Sequence, residues 1–360
     1  MNSKVALFKT AMQKVYGPYD LSAQPDTTTW EPGNAGGHRG RYLWTDAFGV
    51  LNFITLSRED SAHGPAYLHL ARQLANTVHE VLGREREPPT SRLQGATDDA
   101  PLRGGLRIGK LDAGGADGDG MYHHYLTLWM YALDVLARAT REARWNSLAV
   151  ELARAIHPRF IVQRHGRESM VWKISTDMRR VLVGSKGHLD DVTGFVVFRR
   201  LRDTARQFDP SGSEVLSAEI EQYARVMEGS RMSLSGDPLD LGMGLWLAHF
   251  DREASWSREL SAQALEIARD RFLVAAAKPL TAASRLHRLA FREFGACLGI
   301  KCYAEGLDSL MEGVETVLDI WRDKLLDDED GEDEDLRPIN LVMYAAALIP
   351  GAFRADYIGS

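Results

Sequence analysis

Residues able to carry protons or bind anions recur at six places in this 360-residue chain, each at the start of an apolar run. The first cluster is His38-Arg39-Gly40-Arg41-Tyr42-Leu43-Trp44-Thr45-Asp46, and the second is Asp117-Gly118-Asp119-Gly120-Met121-Tyr122-His123-His124. The third is Lys186-Gly187-His188-Leu189-Asp190-Asp191, and the fourth is Gly236-Asp237-Pro238-Leu239-Asp240. The fifth holds Arg285, His287, Arg288 and Arg292, and the sixth Arg337-Pro338-Ile339-Asn340. A carboxylate at a helix start has two uses. It can accept hydrogen bonds from the unpaired N–H groups of the first turn and complement the helix dipole. It can also face the space in front of the helix and act as a general acid or base. Asp237, followed by Pro238, fits the first use, as does Thr45. Asp46 would then stand inside the first turn and face a ligand. Asp190 and Asp191 are adjacent, so on a helix they point roughly 100° apart, one free to cap and the other to face a cavity.

The elements that must position these groups are helices. Apolar residues at Val5, Leu7, Phe8, Met12 and Val15 predict a helix over Ser3–Tyr16, and Leu68, Leu70, Leu74, Val78 and Leu82 predict one over Pro65–Leu82. The series continues through Thr45–Leu56, Gly120–Arg138, Trp145–Ile156, Leu189–Phe208, Glu214–Met227, Pro238–Phe250, Ser255–Leu273, Ser284–Tyr303, Leu307–Leu326 and Pro338–Ile349. Met170–Ile174 and Val181–Val183 read as a small β-hairpin inside a long loop. Every second helix is apolar nearly all round, and its partners carry more Arg, Glu, Gln and Lys. A helix apolar on all sides is buried, and an amphipathic one covers it. Six of each make an inner and an outer ring, with the first helix pairing with the last. All 360 residues are expected to form one such unit.

This arrangement resembles the six-hairpin glycosidase-like superfamily, whose members are (α/α)6 barrels. The resemblance spans nearly the whole chain and rests on architecture. It implies an all-α toroid whose substrate funnel is formed by the loops leading into the inner helices, where the six clusters would meet. Such folds host hydrolases, epimerases, phosphorylases and lyases, so the fold does not select the reaction. Glycoside hydrolysis needs an acid and a base or nucleophile across the scissile bond. Asp46 with Asp190 or Asp191 is the expected pair, with His124 assisting. Some unsaturated-uronyl hydrolases of the superfamily use two Asp residues on inner helices, and this chain is similar to them in having Asp at such positions.

Substrate contacts are expected from Trp44 and Trp246, flat faces suited to sugar rings, and from His123, His188 and Asp240. Arg41, Arg107, Lys173, Arg288 and Arg292 are cations able to clamp a carboxylate or phosphate. Arg288 and Arg292 share a helix face and require anionic partners, either Asp240 or a ligand. The basic, Gly-rich loop Leu102–Lys110 lacks the Walker order and reads as a lid or substrate loop. Two rival chemistries stay open: an isomerase or lyase moving a proton through the histidines, or biosynthesis on a non-sugar metabolite. A non-catalytic binding toroid is a third possibility.

The composition is that of a globular protein, 44% hydrophobic and 26% charged. Asp327–Asp335 carries eight negative charges, and without those eight the formal charge of −7 becomes +1. That run reads as a solvated loop, or a docking element in the binding-toroid reading. The near-neutral remainder gives no reason to expect nucleic acid, and no apolar stretch is long enough to predict a membrane span. Cys297 and Cys302, on one helix, would point roughly 140° apart, too far for a disulfide. With no His-Glu-x-x-His or paired Cys-x-x-Cys motif, neither metal nor cofactor is expected. A small sugar-like substrate and a cytoplasmic location complete the expectation.

Overall fold

The computed structural model describes residues 3–21, 30–33, 41–115, 117–212, 214–229, 233–280, 288–304, 306–326 and 335–359. His38, Arg39, Gly40, Arg285, His287 and 327–334 of the acidic run lie outside them. The helices are α1 (Ser3–Tyr16), α2 (Leu43–Glu59), α3 (Gly64–Leu82), α4 (His123–Thr140), α5 (Ala143–Phe160), α6 (Asp190–Phe208) and α7 (Ser217–Glu228). They continue with α8 (Pro238–Ala248), α9 (Ser255–Ile267), α10 (Leu273–Ala276), α11 (Ala290–Tyr303), α12 (Asp308–Leu326) and α13 (Arg337–Leu348).

The two kinds of helix separate as their patterns dictate. Every residue of α2 from Leu43 to Leu56 is buried. Its neighbour α3 buries one stripe, with Tyr67, Leu70, Leu74, Val78 and Leu82 at helical spacing. The buried helices α2, α4, α6, α8, α11 and α13 touch in that order, and α13 returns to α2, closing an inner ring. Outside it, α3, α5, α7, α9 and α12 pack on their partners, and α1 packs on α13. This is an all-α (α/α)6 toroid. None of the described helices is long and apolar enough to cross a membrane.

Strands appear in the long connections. Lys173–Ile174 (β4) pairs antiparallel with Val181–Val183 (β5), as expected, but also with Met121–Tyr122 (β1). Met121 and Tyr122 therefore belong to a strand and α4 begins at His123, because the His123 N–H donates to the Trp172 carbonyl at 3.0 Å. Ile161–Arg164 (β2) and Arg167–Met170 (β3) form a separate hairpin. The helix expected over Ser255–Leu273 passes through a π-turn at Ala268–Phe272 between α9 and α10. Cys297 and Cys302 are buried free thiols.

The inner ring is tightest between α8 and α11. A Cβ at Gly242 would lie 1.9 Å from the Gly295 carbonyl oxygen, and one at Gly299 would lie 1.9 Å from that of Gly242. Backbone meets backbone, so no side chain can be moved aside. Gly299→Ala should separate the two helices and cost about 1–3 kcal/mol, the usual penalty of an overpacked core. Urea unfolding at neutral pH measures it; unchanged stability would mean that the ring expands freely there.

Candidate active site

Four neighbouring inner helices turn one stripe each toward a cavity of about 370 Å³. Trp44 comes from α2, His124 and Leu128 from α4, Asp190 and Thr193 from α6, and Leu239, Asp240, Met243 and Trp246 from α8. The three- and four-residue spacings are those of one helix face. Trp172 and the connection from β5 to α6, Val183 to Leu189, complete the wall. The volume lies within the range of small-molecule sites, and the wall is mostly apolar with a few polar groups.

Asp190 is the polar centre of this wall and only 2% exposed. Its Oδ2 accepts the Gly187 N–H at 2.9 Å. Its Oδ1 lies 3.6 Å from His123 Nδ1 and 3.8 Å from His124 Nδ1. Burial alone would raise the carboxyl, but the His123 contact, the His124 ring and the Gly187 N–H together outweigh it, so its pKa lies below the ordinary value. Asp190 is thus an anion at neutral pH. Burial lowers the pKa of His124, offset only in part by Asp190 and Asp240. Its neutral ring stacks against Tyr122 (5.6 Å, 16°) and Trp172 (6.0 Å, 21°) and meets Trp44 edge-on at 5.7 Å. Asp240, half-buried, accepts the Ser235 hydroxyl. Among the described residues, Asp190 and Asp240 are the carboxylates of the cavity wall. Trp246 is fully buried, its indole N–H held by the Phe353 carbonyl at 3.0 Å. The Trp44 indole N–H is buried with no hydrogen-bond partner among the described residues. His188 is exposed on the cavity rim, and Lys186 there is paired with Asp191.

Several expected site residues face elsewhere. Asp46 is wholly buried behind α2, where Tyr16 of α1 donates to its Oδ1 at 3.0 Å and Arg41 stands 3.7 Å from Oδ2. Gly49, one turn on, makes this possible, since a Cβ there would lie 2.0 Å from the Tyr16 hydroxyl. The cavity pair expected of Asp46 with Asp190 or Asp191 is therefore not assembled. Asp191 turns from the cavity to Lys186 and the Val192 N–H. Arg41 also donates to the Pro32 carbonyl at 3.1 Å. Arg107 is a buried strut, holding Asp119 at 2.7 Å and the carbonyls of Arg84 and Val81. Lys173 is buried against the Gly118 carbonyl at 2.6 Å. Arg288 clamps Glu293 through two bonds of 2.6 and 2.7 Å, and Arg292 pairs with Asp237, so among the described residues Asp240 pairs with neither. Asp237 does cap α8, accepting the Leu239 N–H at 2.8 Å. His123 lies under the wall, in contact with Asp190 but not lining the cavity. The sequence pattern gave no sign of Tyr223, an outer-helix residue. Thr193, Met243 and Leu128 follow by counting three or four residues from the polar helix starts.

The fold is that of an (α/α)6 toroid, and the cavity lies among four of its inner helices. No protein-family model matches the sequence, and no curated protein matches it. Among solved structures, the chain is similar to a family 76 glycoside hydrolase from a bovine Bacteroides thetaiotaomicron strain, with 14% identity over 96% of this chain and 77% of that one, TM-score 0.57. It is similar to a family 76 glycoside hydrolase (mannosidase) from Bacteroides thetaiotaomicron VPI-5482, with 10% identity over 98% and 97% of the two chains, TM-score 0.57. A family 76 alpha-mannanase of Bacteroides thetaiotaomicron matches with 11% identity over 96% and 94%, TM-score 0.57. At these identities the likeness is one of fold.

Proposed function

We propose that the chain hydrolyses a glycosidic bond in a short saccharide bound in the Asp190 cavity. The observation that carries this reading is a buried, anionic Asp190 in an aromatic wall, with a second carboxylate, Asp240, on the next inner helix. Asp190 serves as base or nucleophile, since its neighbours keep it charged. Asp240 serves as the acid that protonates the leaving oxygen. Trp44 and Trp172 line the cavity and offer faces to the sugar ring. The fold neighbours are described as a mannosidase and an alpha-mannanase, which makes α-mannosides the first substrates to try.

A panel of aryl glycosides and free oligosaccharides, α-mannosides foremost, tests the reading. With a substrate in hand, Asp240→Asn should lower kcat by roughly 10²–10⁴-fold on an unactivated saccharide, the range for general acid–base catalysis. It should lower kcat far less on a glycoside whose phenol leaves without protonation. Equal losses on both would remove Asp240 from the acid role.

One observation favours a second reading. His124 is a neutral imidazole in the cavity beside a carboxylate, an arrangement that also suits proton abstraction next to a carbonyl. Uptake of solvent deuterium into an unbroken sugar would establish that chemistry and overturn hydrolysis.

A further inference from the structure

Behind the cavity wall, Asp190 is linked to a residue of the outer ring. His123 is fully buried and presents both ring nitrogens to polar atoms, Nδ1 to Asp190 Oδ1 at 3.6 Å and Nε2 to the Tyr223 hydroxyl at 2.7 Å. Tyr223 is fully buried on α7 and reaches across the width of the wall. Its approach depends on Gly194 of α6, where a Cβ would lie 2.3 Å from the tyrosine ring. Gly194 stands one turn beyond Asp190, so the same helix places the carboxylate and makes room for the ring. Phe160, Phe198 and His157 enclose the pair. The His157 Nε2 is engaged with the Gln222 side-chain oxygen at 2.7 Å.

We infer that Tyr223 is a positioning residue, whose hydroxyl donates to His123 Nε2 and thereby fixes the tautomer that points Nδ1–H at Asp190. The inference rests on the catalytic role given to Asp190 above. Its logic is one of donors and acceptors. A neutral imidazole carries one N–H, and its other nitrogen is a lone pair. Were Nε2 the protonated nitrogen, Nδ1 would turn a lone pair on a carboxylate. With the phenol donating to Nε2, the N–H falls at Nδ1, opposite the anion. The phenol can hold this role across the working pH range, because burial, and then Asp190 and Asp191, raise the Tyr223 pKa well above its ordinary value. Gln222, Glu219 and Glu168 are the other polar or charged groups near this side of the wall, and none is bonded to the Tyr223 hydroxyl.

Tyr223→Phe removes the hydroxyl and keeps the ring that fills the space beside Gly194. It should lower kcat by about 10–100-fold, by analogy with partners that orient a metal-bound imidazole from behind, with KM nearly unchanged and an altered kcat–pH profile. A purely structural role would lower the melting temperature and leave kcat and its pH profile as in the wild type, which would overturn the inference. The nitrogen NMR spectrum of the histidine rings gives a second readout that needs no substrate. The wild type should give His123 protonated at Nδ1 and bare at Nε2 near neutral pH, and Tyr223→Phe should lose that pattern. A bare Nδ1 in the wild type, a ring protonated at both nitrogens, or an unchanged pattern in the variant would each overturn it. If no glycoside is cleaved, the proposed function falls while this spectrum still decides the tautomer. If Asp190→Asn is inactive and Tyr223→Phe is normal in rate and spectrum, the function stands and the positioning role falls.

Discussion

Asp190→Asn should lower turnover by roughly 10²–10⁴-fold and leave the fold intact. Asparagine has the same shape, and its side-chain oxygen can still accept the Gly187 N–H that Asp190 accepts at 2.9 Å. What it cannot supply is the negative charge that Asp190 carries 3.6 and 3.8 Å from the two imidazole nitrogens. The rate loss should appear in kcat with little change in KM, as for a group whose interaction strengthens in the transition state. The stability effect has a sign of its own. A carboxyl held below its ordinary value in the folded state contributes stability above the unfolded value of 3.8, and that contribution is lost as pH falls through the folded value. The variant should therefore be somewhat less stable than the wild type at neutral pH, and the two should converge in acid. Steady-state kinetics with paired urea titrations measure both. Full activity would take Asp190 out of the mechanism.

Asp46→Asn should behave in the opposite way, with the folded protein gaining stability at neutral pH. Burial raises the Asp46 carboxyl from 3.8 to about 6, despite Arg41 and the Tyr16 hydroxyl pulling it down. The folded state then holds the proton more tightly than the unfolded chain. Stability is greatest below pH ~4, falls as pH rises toward 6, and is lowest once the carboxylate is charged. At ~1.4 kcal/mol per unit, the charged form costs at most about 3 kcal/mol. Asparagine avoids this cost and still accepts from Tyr16, though its amide must occupy the place of Oδ2, which accepts no hydrogen bond among the described residues and faces Arg41 at 3.7 Å. Urea titrations at pH 4 and pH 7.5 should show the variant ahead only at the higher pH. A variant less stable at pH 7.5 would mean that the Arg41 ion pair, 3.7 Å long, outweighs the burial of charge.

The contrast between these two aspartates marks how far the sequence can be read. Periodicity and apolar content were enough to place the rings, because an inner helix such as α2 has no polar face to confuse the pattern. The polar helix starts were also visible, and the lining residues Trp44, His124, Asp190 and Asp240 lie in them, with Trp246 further along α8. Rotation about the helix axis was not. Trp44 and Asp46 are two residues apart, roughly 200° around a helix, so a tryptophan facing the cavity sends the aspartate to the back. Asp190 and Asp191, adjacent in sequence, are separated by roughly 100° in the same manner. The arginines misled for another reason. The chain supplies its own anions, Glu293 five residues on for the buried Arg288, and Asp237 from the preceding inner helix for the more exposed Arg292. Composition cannot tell a strut from a ligand clamp. Tyr223 was out of reach because the partner of its hydroxyl, His123, lies 100 residues away in the chain.

The glycine contact between α8 and α11 has a consequence for heredity. Lining positions such as Leu128, Thr193 and Met243 are buried but border the cavity on one side, so exchanging them reshapes what it can hold. Positions 242 and 299 end in backbone, so any side chain there pushes two helices of the ring apart. A lineage descending from this chain has room to drift in what it binds, and almost none in how that side of its ring is closed.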